Sequence, residues 1–145
     1  MTESSLKVKG NLEILALRLP PGTDVRRDLE AIAKREQISA GVIMGAVGSL
    51  SLVKLRFANA QTPTVLVGNH EILTLSGTVS EDGIHLHMTV ANAHGDCKGG
   101  HLVDGCQVNT TLELVIAVLP AVRFTRSFDP ATGYLELSVF PTDLS

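Results

Sequence analysis

Leu73-Thr-Leu-Ser-Gly-Thr-Val-Ser-Glu-Asp-Gly-Ile-His-Leu-His-Met-Thr-Val90 carries two alternating apolar–polar runs on either side of Asp82-Gly83. A period of two is the pattern of a half-buried strand, and Asp-Gly suits a two-residue type I′ turn. That turn sets Glu81 against Ile84, Ser80 against His85, Val79 against Leu86 and Thr78 against His87. Leu73, Leu75, Val79, Leu86, Met88 and Val90 then share one face. Thr74, Ser76, Thr78, Ser80, His85, His87 and Thr89 share the other. A slip of one residue would mix the two sets, so the hairpin has an apolar side for a core and a side of hydroxyls and imidazoles.

The rest of the chain extends this sheet. Residues 12–19 read as a strand ended by Pro20-Pro21-Gly22. Thr23 or Asp24 caps a helix to about Glu36, with Val25, Leu29, Ile32 and Ala33 on one face and Arg26, Arg27, Glu30 and Lys34 outside. Further strands are expected at 41–47, 51–57, 72–79, 84–90 and 108–119. Two more, at 124–128 and 135–140, are turned by Asp129-Pro-Ala-Thr-Gly133. One helix among many strands makes a mostly antiparallel α+β domain, set at residues 8–142 with an N-terminal tail over 1–7.

At 145 residues, 44% hydrophobic and 19% charged, the chain has the composition of one folded domain and not of a disordered tail. Twelve Lys and Arg stand against fifteen Asp and Glu, for a net charge of -3. With no Trp, one Tyr and four Phe, it lacks both the basic face and the stacking platform of a free-standing nucleic-acid reader. The longest uncharged run, residues 37–53, is broken by Gly41, Gly45 and Gly48 and falls short of a membrane span. The N-terminus has no signal-peptide core, so a cytoplasmic location with no membrane partner is expected. Two cysteines, Cys97 and Cys106, read as reduced, buried and inert.

All five histidines lie between His70 and His101. His85 and His87, two apart on a strand, leave the same face about 6.5–7 Å apart at Cα. Two imidazoles so placed can converge on one ion at about 2.0–2.1 Å, or simply stand on a solvated polar face. The segment 92–100 reads as a loop that folds back, and Gly99-Gly100 permits the close approach that would bring His101 beside them. Three neutral imidazoles with one coordination position open would suit zinc or another divalent metal that polarises a ligand. His94 is a further ligand candidate or a surface loop residue, and His70 is a weaker one. Glu71 and Glu113 are acid/base candidates or salt-bridged strand residues, and Arg56 is an anion binder or a surface arginine.

These residues also carry a resemblance. Gly68-Asn-His-Glu-Ile-Leu-Thr-Leu-Ser-Gly77 resembles the Gly-Arg-Phe-Glu-Ile-Leu-x-Leu-x-Gly segment of the plants-and-prokaryotes conserved (PPC) domain. Asp82-Gly-Ile-His-Leu-His87 followed by Gly99-Gly-His-Leu102 resembles the signature of its prokaryotic members, and Thr110-Thr-Leu-Glu-Leu-Val-Ile116 fits the next strand. The likeness runs over residues 12–140. It implies an α+β fold of antiparallel sheet with one or two helices, similar to acetolactate decarboxylase. It also implies a homotrimer, with zinc or another divalent metal held by His85, His87 and His101 near a subunit interface. The function implied is a binding or interaction module of a family labelled DNA-binding. In plants that label goes with adjoining AT-hooks; no Arg-Gly-Arg-Pro occurs in these 145 residues, and Gly68-Asn69-His70 stands in place of Gly-Arg-Phe. The alternative is a zinc-dependent, lyase-like enzyme with a small oxygenated metabolite as the ligand at the metal; no catalytic residue is assigned.

Overall fold

Leucine- and valine-rich segments punctuated by Gly, Pro and Asp become strands in the computed structural model, which describes residues 7–142. The expected tail over 1–7 lies, apart from Lys7, outside the described residues. In chain order the elements are β1 (Glu13–Leu19), α1 (Val25–Arg35), β2 (Gly41–Arg56), β3 (Thr64–Ser80) and β4 (Gly83–Ala91). They continue with β5 (Cys97–Leu102), β6 (Gln107–Val118), β7 (Val122–Asp129) and β8 (Tyr134–Pro141). Among the described residues the fold is thus mostly antiparallel sheet with a single short helix, in keeping with the alternation in the sequence.

Asp24 is the helix cap: its side chain accepts from the Arg27 backbone N–H at 3.2 Å and from the Gly105 N–H at 2.8 Å. One end of α1 is thereby tied to the turn before β6. Val25, Leu29, Ile32 and Ala33 are buried, as their spacing predicts, and α1 packs on β3 and β4.

Six strands form one sheet in the order β1-β6-β2-β3-β4-β5. The end of β2 also reaches β5, where Leu55 pairs with Leu102 and Arg56 with His101. The ring β2-β3-β4-β5 therefore closes on itself, around a core that includes Leu55, Leu86, Met88 and Leu102, all fully buried. Burial of each such side chain contributes on the order of 1.5–3 kcal/mol. β7 and β8 form a separate two-stranded ribbon. It is tethered by Phe124 N–H to the Ser39 carbonyl at 2.9 Å and by Arg126 N–H to Asp82 Oδ2 at 2.7 Å.

Several expectations change. The strands at 41–47 and 51–57 are one sixteen-residue strand, because Gly48 and Ser49 continue the ladder to Ile72 and Glu71 and bulges absorb the irregularity. β3 starts at Thr64, well before residue 72. The hairpin register is two residues away from the type I′ pairing: Ser80 pairs with Gly83, Thr78 with His85 and Ser76 with His87. The turn is made by Glu81 and Asp82, neither of which has a positive φ, while Gly83 takes φ 137° as the first strand residue. A type I′ turn at Asp82-Gly83 needs left-handed φ at both residues, and Asp82, which carries a side chain, does not take it. A shift of two keeps each face intact, so Leu75, Val79, Leu86, Met88 and Val90 are buried as expected. Leu73 is the exception: a bulge between Ile72 and Thr74 turns it out to 50% exposure and sends Ile72 inward.

Candidate metal centre

His85 and His87 project from the polar face of β4, opposite Thr78 and Ser76 of β3. Residues 92–96 are the expected loop, but 97–100 already belong to the strand β5, which pairs with β4 so that His101 stands directly opposite His87. Gly99 and Gly100 lie within that ladder, opposite Thr89 and Met88. Their small size is what the closure of the ring demands: a Cβ on Gly100 would lie 2.9 Å from the Arg56 carbonyl oxygen and 3.2 Å from the Phe57 ring. On the other side of β4, Gly77 has φ 137°, and a Cβ there would collide with the His85 carbonyl. Both glycines let backbone approach backbone under the imidazoles.

The Nε2 atoms of His85 and His87 are 3.2 Å apart. Ring centroids lie 5.1 Å apart for His85–His87 and His85–His101, and 5.7 Å apart for His87–His101. One nitrogen from each ring falls within 4.8 Å of the other two. Two nitrogens bound to one tetrahedral ion at about 2.0–2.1 Å stand roughly 3.3 Å apart, so the first pair already has the spacing of a shared ion. The three histidines could hold a metal ion, and the donor set suits zinc or a neighbouring divalent metal.

The protonation chemistry agrees. Burial, the neighbouring His85 and the positive charges of Arg56 and Arg26 hold His101 down to about 4. Burial, followed by His87 and Arg126, also lowers His85. Below the usual imidazole range these rings are neutral at pH 7, with lone pairs free to coordinate.

Other candidates fall elsewhere. His94 is exposed in the turn after β4, its N–H on Asn92 Oδ1 at 2.9 Å. His70 is buried on β3, its Nδ1 2.8 Å from the Gly68 carbonyl oxygen, opposite Leu50. Cys106 is fully buried, and burial raises its thiol to about 11. Cys97 is exposed, because its position near the start of β5 lies at the end of the ladder, outside the core. Glu71 lies opposite Ala91, at the far end of the β3–β4 ladder from His85, and Glu113 lines a groove over β1, β2 and β6. Arg56, in contrast, shares a cavity of about 840 Å³ with His85 and His101. Arg126 of β7 and Glu136 of β8 line the same cavity. Nothing in the local pattern of residues 122–141 marks these two; their approach depends on the tether between Arg126 and Asp82.

Fold and cluster together define a class: a small antiparallel α+β domain with three imidazoles converging beside a cavity lined by arginines. The chain belongs to the Plants and Prokaryotes Conserved (PCC) domain family, whose model matches residues 6–120. The solved structure of a hypothetical protein from Salmonella cholerae-suis is similar, with 41% identity and a TM-score of 0.89 over 92% of this chain and 97% of that one. A metal-containing protein of Archaeoglobus fulgidus has 27% identity and a TM-score of 0.78 over 90% of this chain and 98% of its own. A candidate DNA-binding protein of Bacteroides thetaiotaomicron has 26% identity and a TM-score of 0.73 over 92% and 96%. Among curated proteins, the chain is 49% identical over 132 residues to the bifunctional protein GlmU of Synechococcus sp. (strain JA-2-3B'a(2-13)). That stretch is 91% of this chain and 21% of GlmU, so the chain spans about a fifth of the curated relatives it matches. Among the described residues no helix is long and apolar enough to cross a membrane.

Proposed function

We propose that residues 8–142 work as a metal-centred binding module in which His85, His87 and His101 hold one divalent ion, zinc by preference. The observation that carries this is the 3.2 Å separation of the His85 and His87 Nε2 atoms with the third ligand nitrogen within 4.8 Å. A three-histidine site leaves a coordination position open, and an ion held there polarises an oxygen of whatever small molecule occupies it. The metal-containing Archaeoglobus relative supports the same reading. The test is elemental analysis of untagged protein purified without chelator or added metal. About one ion per chain is expected, and a protein that is metal-free and also refuses added zinc would overturn the assignment.

The module is a homotrimer in this reading. Ile14, Met44 and Val47 are each at least 59% exposed along β1 and β2, an apolar surface that calls for cover. Light scattering should give three times the 15.4 kDa chain mass, and a monomer would refute it. Direct DNA binding has little support here: the net charge is -3, and the candidate DNA-binding relative lends only its designation.

The second reading, a lyase-like zinc enzyme for a small oxygenated metabolite, is favoured by one observation. Glu136 brings a carboxylate into the cavity that also contains His85 and His101, where it can take up or return a proton. In an assay in which a substrate has been found, Glu136→Gln should abolish turnover while the metal stays bound.

A further inference from the structure

Among the described residues, two of the arginines around the histidine cluster form no ion pair, and the third shows what a paired one looks like. Arg26 lies 2.8 Å from Glu30 and 3.5 Å from Asp104, and its guanidinium also meets the Leu102 and Ile84 carbonyls. Arg126 and Arg56 make no ion pair within 4.0 Å among the described residues. Arg126 is half-buried, and its guanidinium donates one hydrogen bond, to Thr78 Oγ1 at 2.8 Å. Thr78 is the register partner of His85, and opposed residues of an antiparallel pair lie on one face with Cβ atoms about 4.5–5.5 Å apart. The guanidinium is thus held one strand away from His85 with most of its donor fork free. The backbone bond from Arg126 to Asp82 Oδ2 fixes β7 in that position.

We infer that Arg126, assisted by Arg56 in the same cavity, forms an anion subsite that takes the carboxylate of a small ligand whose other end faces the histidine cluster at His85 and His101. This deepens the metal-module reading and rests on it for the second half of the ligand. A planar guanidinium with free donors matches a carboxylate two bonds at a time, and desolvation, which here lowers the Arg126 pKa, strengthens such a contact. Among the described residues Glu136 is the one carboxylate lining the cavity, and Thr132 Oγ1 donates to it at 2.8 Å. Glu136 and Asp82 act on Arg126 through space, but neither forms an ion pair with it, and Arg56 adds a second positive charge to the cavity. A volume of about 840 Å³ suits a metabolite rather than a polymer. Arg126 lies beyond the residues 6–120 that the family model matches and Arg56 lies within them, so the subsite joins a ribbon residue to one of the matched domain.

The test is calorimetric titration of malonate, with inorganic phosphate as comparator, at fixed ionic strength. The proteins are zinc-loaded wild type, Arg126→Gln, Arg126→Lys and, as a control on the same strand, Arg123→Gln. Zinc content is measured on the same samples. Malonate should bind wild type and R123Q alike, R126Q at least about tenfold more weakly and R126K between them, with zinc content equal throughout. Malonate binding by R126Q within about twofold of wild type, or no malonate binding by any of the proteins, would overturn the subsite. Tighter binding of phosphate than of malonate would overturn the carboxylate class. If wild type takes up no zinc, the metal reading falls by itself, and the same wild-type and R126Q comparison on metal-free protein still decides the arginine subsite.

Discussion

The β4–β5 ladder and the β7–β8 ribbon both supply side chains to one cavity, but the fold holds them in different ways. The ladder lies inside a ring of strands whose floor, Leu86, Met88 and Leu102, is fully buried. The ribbon is a free pair, with Phe128, Tyr134 and Leu135 each at least 63% exposed, attached through a few hydrogen bonds. A two-stranded hairpin is marginal by itself, while strands paired on both sides over a core are not. The arrangement puts the three imidazoles and Arg56 on the ring, and two further charged groups of the cavity, Arg126 and Glu136, on the ribbon.

That contrast can be broken at several points. The largest expected effect is at the ligands: replacing His85 and His87 together by Ala should reduce bound metal to near zero while the circular dichroism of the sheet is unchanged, since both rings point away from the core. Unchanged metal stoichiometry would remove the site. Next comes the floor beneath them. Leu86→Ala should lower stability by about 2–5 kcal/mol in denaturant unfolding, whereas Phe128→Ala on the ribbon should cost less than about 1 kcal/mol. Equal costs would mean that the ribbon is as integral as the ring. Gly77→Ala should cost at least about 1–3 kcal/mol, because its φ of 137° and the His85 carbonyl leave no room for a methyl group.

A smaller effect concerns pH. His101 sits at about 4 in the folded protein against an ordinary 6.5, so an unfolding chain takes up a proton that the folded one refuses. The folded state therefore loses stability as pH falls from about 6.5 toward 4 and is unaffected by this group above that range. The melting temperature of metal-free protein should drop across that window, and His101→Asn should drop less. Parallel curves would refute the attribution. In zinc-loaded protein the same depressed basicity should carry metal retention below the usual imidazole range before protons displace it. Smallest in scale, amides of β7 and β8 should exchange with solvent faster than those of β4, and equal protection would erase the contrast.

What could be read in advance divides along the range of the forces involved. The helix over Val25–Arg35 and the shared face of His85 and His87 follow from period and cap chemistry within a few residues. The hairpin pairing was legible only in its parity. Asp82-Gly83 places the turn one residue too late, which shifts the pairing by two, and a shift of two cannot move a side chain across the sheet. Leu73 departs from its alternation because a bulge depends on the partner strand.

The sequence alone determined an antiparallel α+β domain, the polar face with its paired imidazoles, and a composition unsuited to a free-standing nucleic-acid reader. His101 is already expected beside His85 and His87; long-range packing alone settles that residues 97–102 are a strand, that the ring closes with His101 against Arg56, and that Arg126 and Glu136 enter the cavity. Alternation and capping act between neighbours and leave their mark on each short segment. Ring closure and ribbon docking join residues tens of positions apart, and they are decided only when the whole chain packs.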